Sequence, residues 1–184
     1  DRVTVVSPDK PGTFSRVAGV LSLYNMDVLG AEAHSDEQGM AASEFRVSSQ
    51  HGDIDWEPIE NNLRLALSGR LALDSRLADR AANARPRRAT SALAPAAPTV
   101  RFDDSASSNA TFLEVRAPDM VGVLHRITKA IADCGLDIRH ARVLTLGNEV
   151  VDSFYVREAN GGRINDEAYK TEISRAILHS LGEK

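Results

Sequence analysis

The segment Pro8-Asp9-Lys10-Pro11-Gly12 returns 110 residues later as Pro118-Asp119-Met120-Val121-Gly122, and this repeat constrains the fold more than any other feature of the chain. At the same displacement Arg16 falls on Arg126, Asp27 on Asp137 and Ala31 on Ala141. Apolar positions follow suit: Phe14 with Leu124, Val17 with Ile127, Leu21 with Ile131, Met26 with Leu136 and Val28 with Ile138. Phe45 and Val47 align with Phe154 and Val156 after a one-residue gap near Gly39 and Gly147. A sequence that repeats its apolar pattern so closely folds as two copies of one unit.

Each copy yields the same elements. Residues 2–7 and 111–117 alternate as strands. Phe14, Val17, Leu21 and Tyr24 recur at helical spacing, as do Leu124, Ile127, Ile131 and Cys134. Asn25 and Gly135 supply helix-stop chemistry. Hairpins follow over 27–35 with 41–49, and over 137–146 with 149–157, turning at Gly39 and at Gly147-Asn148. Asp55 and Asn165 are expected N-caps of a second helix. Its apolar side carries Trp56, Ile59, Leu63 and Leu67 in one copy and Tyr169, Ile173 and Ile177 in the other. The unit is β-α-β-β-α with room for a last strand. The fold class is α+β, ferredoxin-like βαββαβ twice over, with antiparallel sheets and helices on one face.

In copy one the last strand is assigned to Thr99-Val100-Arg101-Phe102-Asp103, while copy two has no obvious equivalent before Lys184. The division is 1–104 for the first domain and 105–184 for the second. Residues 81–98, rich in Ala, Arg and Pro, read as a linker or insertion before that strand. Its cluster Arg85-Pro86-Arg87-Arg88 is a solvated basic patch or a partner contact.

Composition removes several functional classes. Net charge is −4, with no basic stripe for a nucleic-acid backbone. Aromatic residues make up 5%, and Phe154-Tyr155 is the one aromatic pair on a strand, which argues against an RNA-stacking sheet. The single cysteine, Cys134, excludes an internal disulfide framework and falls on the apolar stripe as a buried thiol. The histidines at 34, 51, 125, 140 and 179 form no metal-ligand spacing, and no phosphate-binding loop occurs, so neither metal nor cofactor is expected. No apolar run reaches about eighteen residues and no signal peptide is visible, so a cytoplasmic setting without membrane contact is expected. The chain starts directly in a strand without Met, as a piece of something longer would. Two copies of this size would gain burial by packing together, within one chain or as a homodimer.

Binding chemistry concentrates at Asp-x-x-Gly, which opens the first helix of each copy. A helix start offers unpaired N–H groups and a positive dipole end to a carboxylate. Gly12 and Gly122 leave the backbone bare for close approach. Asp9 and Asp119, with Asp27 and Asp137 at the next strand's start, are acceptors for an ammonium group. Together these suit a zwitterion. The plainer alternative, that each Asp is an N-cap and each Gly a turn residue, stays open at this point.

Pro-Asp-x-x-Gly, a helix, then Asp with alternating apolar residues resembles the ACT domain, a regulatory amino-acid-binding module. Further runs in copy two sharpen the likeness: Glu114 to Asp119, Leu124-His125-Arg126-Ile127, Gly135 to Ala141, and Thr145 to Val156 with its Val150-Val151-Asp152-Ser153-Phe154-Tyr155 core. These resemble the C-terminal end of the PII-protein nucleotidyltransferase family, the uridylyltransferase/uridylyl-removing enzymes. The resemblance implies a non-catalytic tandem ACT sensor of glutamine that controls upstream catalytic domains, and through them the PII protein. It carries site roles onto Asp9, Pro11, Gly12 and Asp27, and onto Asp119, Gly122 and Asp137. Val121 departs from the proline usual at that place. A free-standing tandem regulator working through protein contacts is the alternative.

Overall fold

The computed structural model describes residues 1–35, 38–49, 54–84 and 96–182. In chain order the elements are β1 (Arg2–Pro8), α1 (Thr13–Leu23), β2 (Met26–Ser35), β3 (Met40–Ser49) and α2 (Trp56–Leu67). Then come α3 (Leu73–Asn83), β4 (Thr99–Asp103), β5 (Thr111–Pro118) and α4 (Val123–Asp133). The chain closes with β6 (Leu136–Arg142), β7 (Thr145–Leu146), β8 (Glu149–Glu158) and α5 (Glu167–Ser180).

The two copies share one antiparallel sheet rather than forming a sheet each, in the order β1-β3-β2-β6-β8-β5-β4, with β7 on β8. Helices cover one face of it. The seam is β2 against β6, where Ala31 pairs with Ala141, Gly30 with Arg142 and Glu32 with His140. Ala31 and Ala141 are repeat equivalents, so a local twofold axis passes between them. The symmetry reaches the irregularities: β2 bulges between Val28 and Gly30, and β6 between Ile138 and His140, again 110 residues apart.

Local chemistry explains most element ends. Gly12 and Gly122 begin α1 and α4 with φ of 82° and 75°, where a side chain would be strained. Asn25 and Gly135 end those helices in the same left-handed region. Asp55 caps α2 through the Glu57 N–H, as expected. In the second copy the cap is Asp166, one residue past the expected Asn165. Its carboxylate accepts from the Ala168 N–H at 2.8 Å, while the Asn165 amide turns back to the Arg163 carbonyl.

The core runs continuously under both copies. Phe45 and Phe154 are fully buried from the sheet side, and Val17, Leu21, Ile127 and Ile131 from the helix side. Each such side chain contributes roughly 1.5–3 kcal/mol through removal from water. Where α1 meets α4, residue 19 has to be small. A Cβ on Gly19 would stand 2.7 Å from the Leu73 side chain and 2.8 Å from the His125 ring. His125 is buried there, its Nδ1 2.7 Å from the Ser15 carbonyl and its Nε2 2.7 Å from Asp74. It is a packing histidine.

Three expectations are corrected. Thr99–Asp103 does not complete copy one; it pairs antiparallel with β5, Thr99 opposite Arg116 and Asp103 opposite Phe112. Only residues 104–110 separate β4 from β5, and so short a connection favours adjacent antiparallel pairing. Lys170 of α5 locks the arrangement, its Nζ lying 2.8 Å from the Asp104 carboxylate just past β4. Second, residues 73–83 form a helix, so the stretch expected as a linker from residue 81 begins inside α3. Arg85, Pro86, Arg87 and Arg88 lie outside the described residues. Cys134 is half-buried at the end of α4 rather than fully buried, and burial pushes its thiol up from the usual range.

Candidate functional site

The loop that opens α1 does not face the start of the strand that follows it in its own copy, where Asp27 lies. Because β2 and β6 join the copies side by side, the start of α1 faces the end of α4 and the start of β6. Between them lies a cavity of about 470 Å³ lined by Asp9, Lys10, Pro11 and Gly12 from copy one and by Asp137 and Arg139 from copy two. Ala33, Ala41 and Ser43 form part of its floor, and Arg157 and Glu158 one side.

The local geometry leaves donors available at the first loop. Asp9 N–H bonds the Gly39 carbonyl at 2.8 Å, which fixes the loop on the β2–β3 turn. The Thr13 N–H and hydroxyl both turn back to the Lys10 carbonyl. Among the described residues, the N–H groups of Gly12, Phe14 and Ser15 meet no acceptor. These are the helix-start donors that bind anions. Acids and bases alternate around them: Asp9, Asp137 and Glu158 against Lys10, Arg139 and Arg157. Asp137 is held by Arg139 at 2.9 Å. The Arg157 Nε is buried with no protein acceptor, a donor that a bound carboxylate would satisfy.

The twin position, made from Asp119, Gly122 and the start of β2, is built differently. Ser22 stands where its equivalent in copy two is Ala132, and its hydroxyl accepts the Gly122 N–H at 3.0 Å. Leu77 of α3 lies over Gly122, 3.4 Å from where a Cβ would be. Arg80 of α3 bonds the side chain of Asn25, the equivalent of Gly135. Gly12 and Gly135 line the first cavity, so α3 bridges the two rims of its twin. Asp152 replaces Ser43 beneath the second loop, fully buried and with neither oxygen in a well-formed hydrogen bond.

Of the seven site residues expected from sequence, the structure gathers Asp9, Pro11, Gly12 and Asp137 around one cavity. Asp27, Asp119 and Gly122 lie at the twin position and not in that cavity. Arg139, Arg157 and Ser43 are lining residues that sequence reading missed. The signal that could have found Ser43 is the alternation that sets it on the inner face of β3. No group of three or more His, Cys, Asp or Glu side chains able to hold a metal occurs among the described residues. No helix among them is long and apolar enough to cross a membrane, which says nothing of a β-barrel.

Residues 111–171 match the ACT domain family. With its βαββ order and a glycine loop opening α4, the second copy has the ACT fold, and the first repeats it. The chain as a whole is related to bifunctional uridylyltransferase/uridylyl-removing enzymes. It is 33% identical to the one from Gluconobacter oxydans over 97% of this chain and 19% of that protein. It is 36% identical to the one from Streptomyces coelicolor over 96% of this chain and 22% of that protein. The chain thus spans about a fifth of the length of these relatives. It corresponds to a part of such proteins that holds an ACT match, and not to their whole length.

Proposed function

We propose that this chain senses a zwitterionic amino acid, glutamine first among candidates, in the cavity between the copies that Gly12 and Asp137 line. One observation carries this reading. The open N–H groups at Gly12, Phe14 and Ser15 and the unpartnered Arg157 Nε face the same cavity as the Asp9 and Asp137 carboxylates. An α-carboxylate would sit on the helix start, and an α-ammonium between the acids. Each chain takes one ligand, because Ser22 and α3 already engage the second loop.

Ligand in this cavity touches both copies, so it favours one angle of the β2–β6 seam over others. The size of the shift is bounded by the difference in affinity between the two arrangements. In a longer protein like the relatives, that angle would be read by catalytic domains acting on a PII-type partner in the cytoplasm.

Titration calorimetry with glutamine, with glutamate and alanine as controls, tests the reading. The expected result is selective glutamine binding at one site per chain, lost in Asp9→Ala and retained in Asp119→Ala. Binding that survives Asp9→Ala but fails in Asp119→Ala would move the site to the twin position. No binding of any amino acid would sink the sensor reading.

A further inference from the structure

The twofold symmetry of the sheet is broken at its two ends. At one end β5 is covered by β4, with Asp103, Arg101 and Thr99 opposite Phe112, Glu114 and Arg116. At the other end β1 pairs with β3, and among the described residues no strand lies along its outer edge. The repeat equivalents of Phe112, Glu114 and Arg116 are Arg2, Thr4 and Val6.

Those three residues turn their backbone outward. Asp1 exchanges two hydrogen bonds with Val47, its N-terminal nitrogen donating to the Val47 carbonyl and the Val47 N–H to the Asp1 carbonyl, both at 2.9 Å. In an antiparallel ladder, alternate residues bond to the same neighbour. Val3, Val5 and Ser7 therefore bond to β3, and the N–H and C=O groups of Arg2, Thr4 and Val6 face away from it. The side chains show the same gap. Val115 is fully buried, while its equivalent Val5 is only half-buried, and Val6 is 66% exposed. A seven-residue edge with valine at three positions offers its ladder groups to another strand, with Arg2 and Pro8 limiting it at its two ends and no bulge between them.

We propose that the outer edge of β1 seats a fourth strand for copy one, supplied by the polypeptide immediately N-terminal to Asp1 in the longer protein. The second copy shows both the geometry and the source. β4 begins twelve residues before β5 and reaches it through the short turn 104–110, so each unit takes its outermost strand from the chain that precedes it. The relatives carry about four fifths of their length outside the matched region, which provides the polypeptide. By analogy with Val100 and Phe102, which pack on the core from β4, the incoming strand carries apolar residues at alternate positions. It runs antiparallel to β1 and covers Val5. A strand fixed there makes a rigid mechanical link between the sensing sheet and whatever lies upstream.

Hydrogen exchange resolved to single amides tests this. It would be measured on the 184-residue chain and on the same protein extended upstream by about 25 residues, enough for one strand and its turn. The amides of Thr4 and Val6 should exchange at least about tenfold more slowly in the extended protein. Those of Val3 and Val5, already bonded to β3, should change little. Aspartate at the apolar positions of the added strand should abolish the gain at Thr4 and Val6 alone. Equal exchange at Thr4 and Val6 in both proteins would overturn the proposal. So would protection already present in the shorter chain and rising with its concentration, since a second copy would then occupy the edge.

Discussion

Asp152 is costly to keep ionised, and its replacement tests the buried chemistry directly. It lies on the inner face of β8, fully buried. Burial pushes its carboxyl from 3.8 up to about 7, with the Asp119 carboxylate adding to the rise. The Leu144 backbone N–H pulls the other way. Neither oxygen is in a well-formed hydrogen bond, so that N–H acts as a nearby dipole rather than a partner. The folded protein therefore holds this proton to higher pH than the unfolded chain does. Between about pH 4 and pH 7 the folded state binds more protons, so the contribution to stability falls as pH rises and levels off above 7. Holding the proton up to about pH 7 corresponds to roughly 4 kcal/mol of destabilisation at alkaline pH. Asp152→Asn keeps the shape and removes the charge. Urea unfolding should show the variant close to wild type near about pH 4 and more stable by about 2–4 kcal/mol at about pH 8. A variant that loses stability equally at both pH values, or leaves the pH slope unchanged, would show that the carboxylate is well partnered and refute the reasoning.

Other perturbations follow from the packing. Gly19→Ala drives a methyl into Leu73 and the His125 ring, displacing the histidine from Ser15 and Asp74. Thermal unfolding should report a loss of about 1–3 kcal/mol. Leu77→Ala should cost about 2–4 kcal/mol and speed amide exchange of the loop at Gly122, whereas exchange at Gly12 stays as it was. Lys170→Ala removes the ammonium held by Asp104 and Glu167, whose hydrogen bonds keep its pKa above the ordinary lysine value. Because both carboxylates are more than half exposed, the loss should be only about 1–2 kcal/mol, and it should fade at pH above the ordinary lysine range. Arg157→Gln should weaken amino-acid binding about tenfold or more in calorimetry without lowering the melting temperature.

The sequence by itself determined the repeat, the element order within each copy, and the inward faces of α1, α2, α4 and α5. These rest on interactions within a few residues: apolar periodicity, a glycine at positive φ, an aspartate cap. Even the miss at Asn165 is a contest between neighbours, settled by which carbonyl or N–H each side chain reaches. The hairpin pairings within each copy were legible, but the pairing between the copies was not, because a ladder between β2 and β6 joins residues more than a hundred positions apart that no local pattern ties together. That pairing puts the loop of copy one against Asp137 of copy two, so the cavity belongs to neither copy alone. Tertiary structure also decided the asymmetry. α3 has only Leu73 and Leu77 as buried apolar anchors among polar and small residues, too short a stripe to announce a packed helix. Its two leucines find burial only on the surface where α1 crosses α4. A duplicated sequence motif could promise two equal sites; the contact of Leu77 with Gly122 and the bond from Gly122 to Ser22 leave one of them open.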